Sequence, residues 1–112
     1  MIKEIFDAAG IPSRSARYTQ PPAETYGVYF DAENVDGPDA VPGLPGVSLT
    51  VQHDVSAELY EPTQDPDAEA AFESALVAHG VTAWEKEDRY WLQNAQRYQV
   101  VYRFSYIEKR RA

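Results

Sequence analysis

"VSLTVQHDVSAELY", residues 47–60, alternates without a break. Val47, Leu49, Val51, His53, Val55, Ala57 and Leu59 take the odd positions, and Ser48, Thr50, Gln52, Asp54, Ser56, Glu58 and Tyr60 the even ones. A period of two over such a length predicts a strand with one buried and one wet face. A slip of one residue would bury Asp54 and Glu58, so the register is tightly specified. His53 stands in the apolar column, where a histidine satisfied by a neighbour is the expected reading and a ligand role the lesser one. Its neighbour Asp54 points to the opposite face, so the two cannot form an orienting pair.

Upstream, Tyr26, Val28 and Phe30 alternate with Gly27, Tyr29 and Asp31, predicting a second strand over about 25–31. The segment between the two strands, AENVDGPDAVPGLPG (32–46), is rich in proline, glycine and acid, and reads as a mobile acidic loop or a loosely paired hairpin tip. Asp31, Glu33, Asp36 and Asp39 give it its charge. Ile2, Ile5, Phe6 and Ala9 have the spacing of a short amphipathic helix over 2–9, stopped by Gly10 and Pro12. Residues 13–23, with Pro21-Pro22, read as an extended connector.

Downstream, Glu61-Pro62 closes the alternating strand. Asp65 caps a helix with Pro66 at its first position and Asp67 and Glu69 in its first turn, where negative charge suits the dipole. Ala68, Ala71, Phe72, Ala75, Leu76 and His79 form its stripe, and Gly80 its stop. Short strands follow over 81–85 and 89–92, then a polar turn over 93–96. A final strand over 98–108 carries Tyr98, Val100, Tyr102, Phe104 and Tyr106 on one face and Gln99, Val101, Arg103, Ser105 and Ile107 on the other. This order predicts an α+β fold: a mainly antiparallel sheet of four to five strands with two helices packed on one side. At 112 residues the chain reads as a single domain, 1–112, with its mobile loop at about 32–46.

The net charge of −8 argues against a general nucleic-acid binder. Its distribution is uneven. Residues 18–85 hold thirteen Asp and Glu and no Lys or Arg, whereas residues 86–112 have a net charge of +4. Either the two regions neutralise each other within one molecule, or the acidic surface of one copy meets the basic strand of the next. With no cysteine there is neither a disulfide framework nor a thiolate metal site. No apolar run approaches the roughly 20 residues a bilayer requires, and the opening MIKEIFDAAG is not built like a signal peptide. Synthesis in the cytoplasm and no membrane contact are the expectations.

Catalytic signatures are lacking. His53 and His79 sit on different elements, and there is no phosphate-cradling glycine loop, nucleophile elbow or H-E-x-x-H. Calcium binding by 31–39 would lack the EF-hand spacing. No enzymatic activity, metal or cofactor is expected, which leaves binding. Residues 89–106 hold six of the fourteen aromatic residues, and Tyr90 and Trp91, adjacent in an extended segment, cannot both face a core. Tyr, Trp and Arg concentrate in protein–protein contacts. Tyr90, Trp91, Arg89, Arg97 and Arg103 are therefore the expected subunit or partner interface. The alternative for Trp91 is a satellite core under the 32–46 loop.

The segments IKEIFDAAGIP, ARYTQPPAETYGVYFD, VSLTVQHDVSAELYEP, DPDAEAAFESALVAHG and DRYWLQNAQRYQVVYRFSYIEKR resemble small prophage proteins of the head-to-tail joining region of long-tailed phages of Gram-positive bacteria. In element order and size the chain is similar to the tail terminator, or tail-completion, proteins. That resemblance implies a structural virion protein, assembled in the host bacterial cytoplasm. It implies a homo-oligomeric ring, commonly a hexamer, that caps the major tail tube protein and offers its other face to the head connector protein. It brings no catalytic residues. In such a ring the acids Asp31, Glu33, Asp36 and Asp39 would line a lumen through which DNA passes without specific binding. The chain is shorter than many terminators, which keeps a head-completion adaptor open. An acidic inhibitor or DNA mimic is the alternative of a different kind.

Overall fold

The computed structural model describes residues 1–36 and 48–111. The chain runs α1 (Ile2–Ala9), β1 (Ser13–Ser15), β2 (Tyr26–Asp36), β3 (Ser48–Glu61), α2 (Pro66–Ala78), β4 (Glu85–Lys86), β5 (Tyr90–Leu92) and β6 (Arg97–Arg111). It is an α+β fold whose six strands follow the order β1-β2-β3-β6-β4, with β5 also on β6. Every pairing is antiparallel except that of β1 with β2.

The alternating segment becomes the central strand. Val51, Val55, Ala57 and Leu59 are at most 3% exposed, so the odd column is the buried one. Pairing carries that face across the sheet: Tyr29 lies opposite Ala57, and Ala57 opposite Tyr102. Both helices pack on this face. The Phe6 ring of α1 lies 4.7 Å from that of Phe72 in α2, which lies 5.0 Å from Tyr102. Gly27 lets α1 approach β2, because a Cβ there would overlap the Phe6 ring. Both helix ends follow local chemistry. Gly10 adopts φ 72° after α1, and the Asp65 carboxylate accepts from Ala68 N–H (3.1 Å) at the start of α2.

Two sequence expectations need correction. First, the sheet has six strands, not four to five. The connector contributes β1, held on Gly27, Val28 and Tyr29, and the last edge strand is split. Glu85 and Lys86 pair with Arg103 and Tyr102, yet Tyr90, Trp91 and Leu92 pair in a register shifted by one residue. Residues 87–89 absorb the extra residue as a bulge, and the expected strand over 81–85 is reduced to Glu85–Lys86.

Second, the expected loop at 32–46 begins too early. Residues 32–36 continue β2, paired with β3 as far as Asp36 opposite Thr50. Asp31, Glu33 and Asp36 therefore stand on a strand, and Asp39 lies outside the described residues. Hydrogen bonding to β3 holds this stretch extended although its composition reads as a loop.

The molecule measures 51 × 28 × 21 Å. The thirteen residues of α2 reach about 20 Å, whereas the fourteen of β3 reach about 48 Å. Much of the sheet therefore extends past the helices as a three-stranded arm of β2, β3 and β6. No helix among the described residues is long and apolar enough to cross a membrane.

Candidate functional site

The bulge decides where the basic residues of the β4–β5 edge point. Arg89 turns to the helix-covered face, where Nε lies 3.2 Å from Glu61 Oε1 and Nη2 lies 2.6 Å from Glu69 Oε2. Lys86 bridges Glu69 (3.0 Å) and Glu73 (2.9 Å), and the Tyr102 hydroxyl donates to Glu73 at 2.7 Å. Burial, and then the neighbouring Glu69 carboxylate, raise the pKa of Glu61. Burial pushes Glu69 upward as well, but the neighbouring Glu61 carboxyl and the cations of Arg89 and Lys86 outweigh that and hold it below the usual range. Burial and Glu73 raise the Tyr102 phenol. These charges face one another and not a cleft. They fasten α2 to the last strands.

The other basic residues of this edge are also engaged within the chain. Arg103 pairs with Glu87 on the uncovered face, and Arg97 donates to the carbonyls of Gln96 (3.0 Å) and Ala23 (3.5 Å). Tyr90 and Trp91 are not so engaged. Tyr90 is 66% exposed and Trp91 38%. The Trp91 ring meets the edge of Tyr98 (4.9 Å), and its Nε1 donates to Gln93 (3.1 Å). Of the five expected interface residues, the structure places Tyr90, Trp91 and Arg103 outward. Arg89 is half-buried in the ionic cluster, and Arg97 lies on the connector. Glu61, fully buried, escaped the sequence reading. The signal was available, because it occupies the next odd position of the apolar column after Leu59.

A second cluster occupies the arm. His53, 3% exposed, stacks on Tyr106 with ring centroids 4.3 Å apart. Its Nδ1 lies 2.9 Å from Asp31 and its Nε2 2.7 Å from Glu108. Ionised carboxylates only accept hydrogen bonds, so with both acids ionised the arrangement favours the imidazolium, in which both ring nitrogens donate. Burial pulls its pKa down, but the bonds to Glu108 and Asp31 outweigh that and raise it. Arg110 lies 2.9 Å from both Glu33 and Glu108 and lowers the pKa of each. These groups line an open cleft of about 450 Å³ beside Met1.

Asp31, Glu33 and His53 offer ligand atoms within 4.8 Å of one another. In this arrangement, however, the Arg110 guanidinium, joined by His53 when its ring is protonated, supplies the positive charge that a metal ion would bring. The satisfied histidine expected in the apolar column is thus present. Asp31 and Glu33 are not loose charges at a loop tip, because each is tied to a cation of the same chain.

Of the remaining exposed hydrophobics, Val35 (52%) and Ile107 (64%) lie on the arm, Phe30 (47%) at its root and Val77 (54%) on α2. Backbone pairing stops on the arm too. Among the described residues, the outer edge of β2 is covered at residues 27–29, by β1, and that of β6 at residues 97–99 and 101–103. Comparison with protein-family models, with curated proteins and with solved structures finds no match to this chain.

Proposed function

We propose that this chain is a structural subunit of the head-tail junction of a long-tailed phage or prophage. In this reading it forms a ring, commonly of six copies, that caps the tail tube and presents its other face to the head connector. It is assembled in the bacterial cytoplasm, is carried in the virion and performs no catalysis.

The observation that carries the binding role is the outward placement of Tyr90 and Trp91 on a three-residue edge strand. Amphipathic rings of this kind become the buried anchors of an interface. Support for the phage role comes from the segment resemblance together with the α+β architecture it calls for. The DNA-mimic alternative needs carboxylates unpaired and spread over a surface, whereas Glu33, Glu61, Glu69, Glu73, Glu87 and Glu108 each hold a basic side chain of the same molecule.

The test combines the purified chain with polymerised tail-tube protein and images the tube ends by electron microscopy. Capped ends that disappear with Tyr90→Ala/Trp91→Ala are expected, with an unchanged circular dichroism spectrum. Bare tubes combined with binding to connector rings would assign the chain to head completion. Binding to neither would end the proposal.

A further inference from the structure

We infer that the His53 cleft binds a divalent metal ion of the zinc class, held by His53 Nδ1 and the carboxylates of Asp31 and Glu33. The ion ties β2 to β3 in the arm, a role that does not depend on the head-tail junction.

Three features of the cleft point to this ion. The first is donor geometry. Asp31 and Glu33 share one face of β2, and Glu33 stands directly opposite His53 on β3. His53 Nδ1 lies 2.9 Å from Asp31 Oδ1 and 3.8 Å from Glu33 Oε1, with all three donor atoms within 4.8 Å of one another. Zinc bonds of about 2.0–2.2 Å at tetrahedral angles set ligand atoms about 3.4 Å apart. The two distances from Nδ1 bracket that spacing.

The second is support for the imidazole. Its Nε2 lies 2.7 Å from Glu108, and the ring stacks on Tyr106. A carboxylate that accepts the Nε2 hydrogen bond fixes the tautomer whose Nδ1 lone pair is open to a metal, as outer-shell carboxylates do for ligating histidines. Glu108 is thus a positioning residue, not a ligand.

The third is charge. With the ring neutral, the carboxylates of Asp31, Glu33 and Glu108 are met by the guanidinium of Arg110, and two negative charges remain. A proton on Nδ1 removes one of them, whereas a divalent ion in its place removes both. The Met1 amino group bordering the cleft is taken up by Glu4 at 2.9 Å. Arg110 reaches Glu33 at both oxygens, 2.9 Å from Oε1 and 3.4 Å from Oε2, so Oε1 can turn to the metal while Oε2 keeps the guanidinium.

A nitrogen donor beside two carboxylates suits zinc better than magnesium or calcium, which take oxygen ligands. The cleft of about 450 Å³ gives the ion its way in, and water from it completes the coordination.

The test uses the chain without an affinity tag, stripped of metal with a chelator and titrated with zinc chloride at mildly alkaline pH, where protons compete least. Calorimetry should show one equivalent bound. Amide exchange should slow at residues 31–35 and 51–55 and stay unchanged around Leu59 and Val100. His53 and His79 are the only imidazoles of the chain, so nitrogen NMR reads the ligand directly. His53 Nδ1 should shift on zinc addition, Nε2 should keep its proton, and His79 should not respond. Asp31→Asn and Glu33→Gln should each weaken binding at least tenfold, and His53→Gln should abolish it, with circular dichroism checking that each variant folds.

No uptake at millimolar zinc, undiminished uptake by Asp31→Asn, or a response of His79 in place of His53 overturns the site. So does an equal effect of magnesium chloride, which would mark adsorption to exposed acids. Zinc on His53 without added protection at residues 31–35 overturns the tie between the strands. These readouts involve the chain alone, so none of them decides tube capping.

Discussion

Where the sheet carries Leu59, Val100 and Tyr102, helices lie over one face and short strands close both edges. Where it carries His53, Ile107 and Arg110, Met1 at the start of α1 lines a cleft beside the sheet, and the outer edges are open among the described residues. The first end is held by packing: Phe6, Phe72, Leu59, Leu76, Val100 and Tyr102 are all fully buried. In the second, every outer-strand residue from Phe30 to Val35 is exposed, and between the strands stands His53, bonded to two carboxylates. Apolar burial is insensitive to pH and salt at the level of single groups, whereas an ionic clasp near the surface responds to both. One continuous sheet therefore has two stabilities.

The largest effect is expected at the packed end. Phe72→Ala opens a cavity beneath both helices and should cost about 3–5 kcal/mol in denaturant melts. A change of under about 1 kcal/mol would mean that the helices do not share one core with the sheet.

Next is the buried ionic cluster. Glu69→Gln leaves the guanidinium of Arg89 without its closest partner and should cost about 3 kcal/mol. Glu61→Gln should cost far less, because Glu61 Oε2 has no hydrogen-bond partner among the described residues. The Glu61 pKa is raised in the folded state, so its contribution to stability is complete below the ordinary glutamate range and falls as pH rises through the folded value. Glu61→Gln should flatten that part of the melting-temperature profile between mild acid and neutrality.

A smaller and more local effect is expected from His53. Its folded pKa is raised, so the clasp is fully stabilising below the ordinary histidine value and is lost as pH rises through the folded one. Amide protection in residues 31–35 and 104–110, corrected for intrinsic exchange rates, should fall from neutral to mildly alkaline pH. Protection around Leu59 and Val100 should hold. His53→Gln should abolish this difference between the two ends, and a uniform response of the whole sheet would erase the distinction drawn between them.

The smallest effect on the single molecule is expected from Phe30→Ser and Ile107→Ser. Each should change its stability by no more than about 0.5 kcal/mol in denaturant melts, and a larger loss would mean that these side chains are packed.

How far the sequence was legible follows the same division. The odd column of β3, the α1 stripe with Gly10, and the Asp65-Pro66 start of α2 were readable because each forms against a single dominant neighbour, core or water. Residues 32–36 were not readable as strand. Alternation marks a strand only where one face is buried, and residues 32–35 of β2 bury neither. Tyr90 and Trp91 were legible as a pair that could not both be core. The inward turn of Arg89 was not, because it depends on one extra residue in an edge strand, and nothing local marks a bulge.

Local periodicity and capping chemistry by themselves determined the central strand, both helices and the α+β class, since these depend on how residues a few positions apart share one face. Only the tertiary structure decided that Asp31, Glu33 and Glu108 serve to hold His53 and Arg110, and that Glu61 meets Arg89. Those partners lie 20 or more residues apart in sequence or on different strands. Which charges end within bonding distance is set by strand order and register, and these emerge only when the whole sheet is assembled.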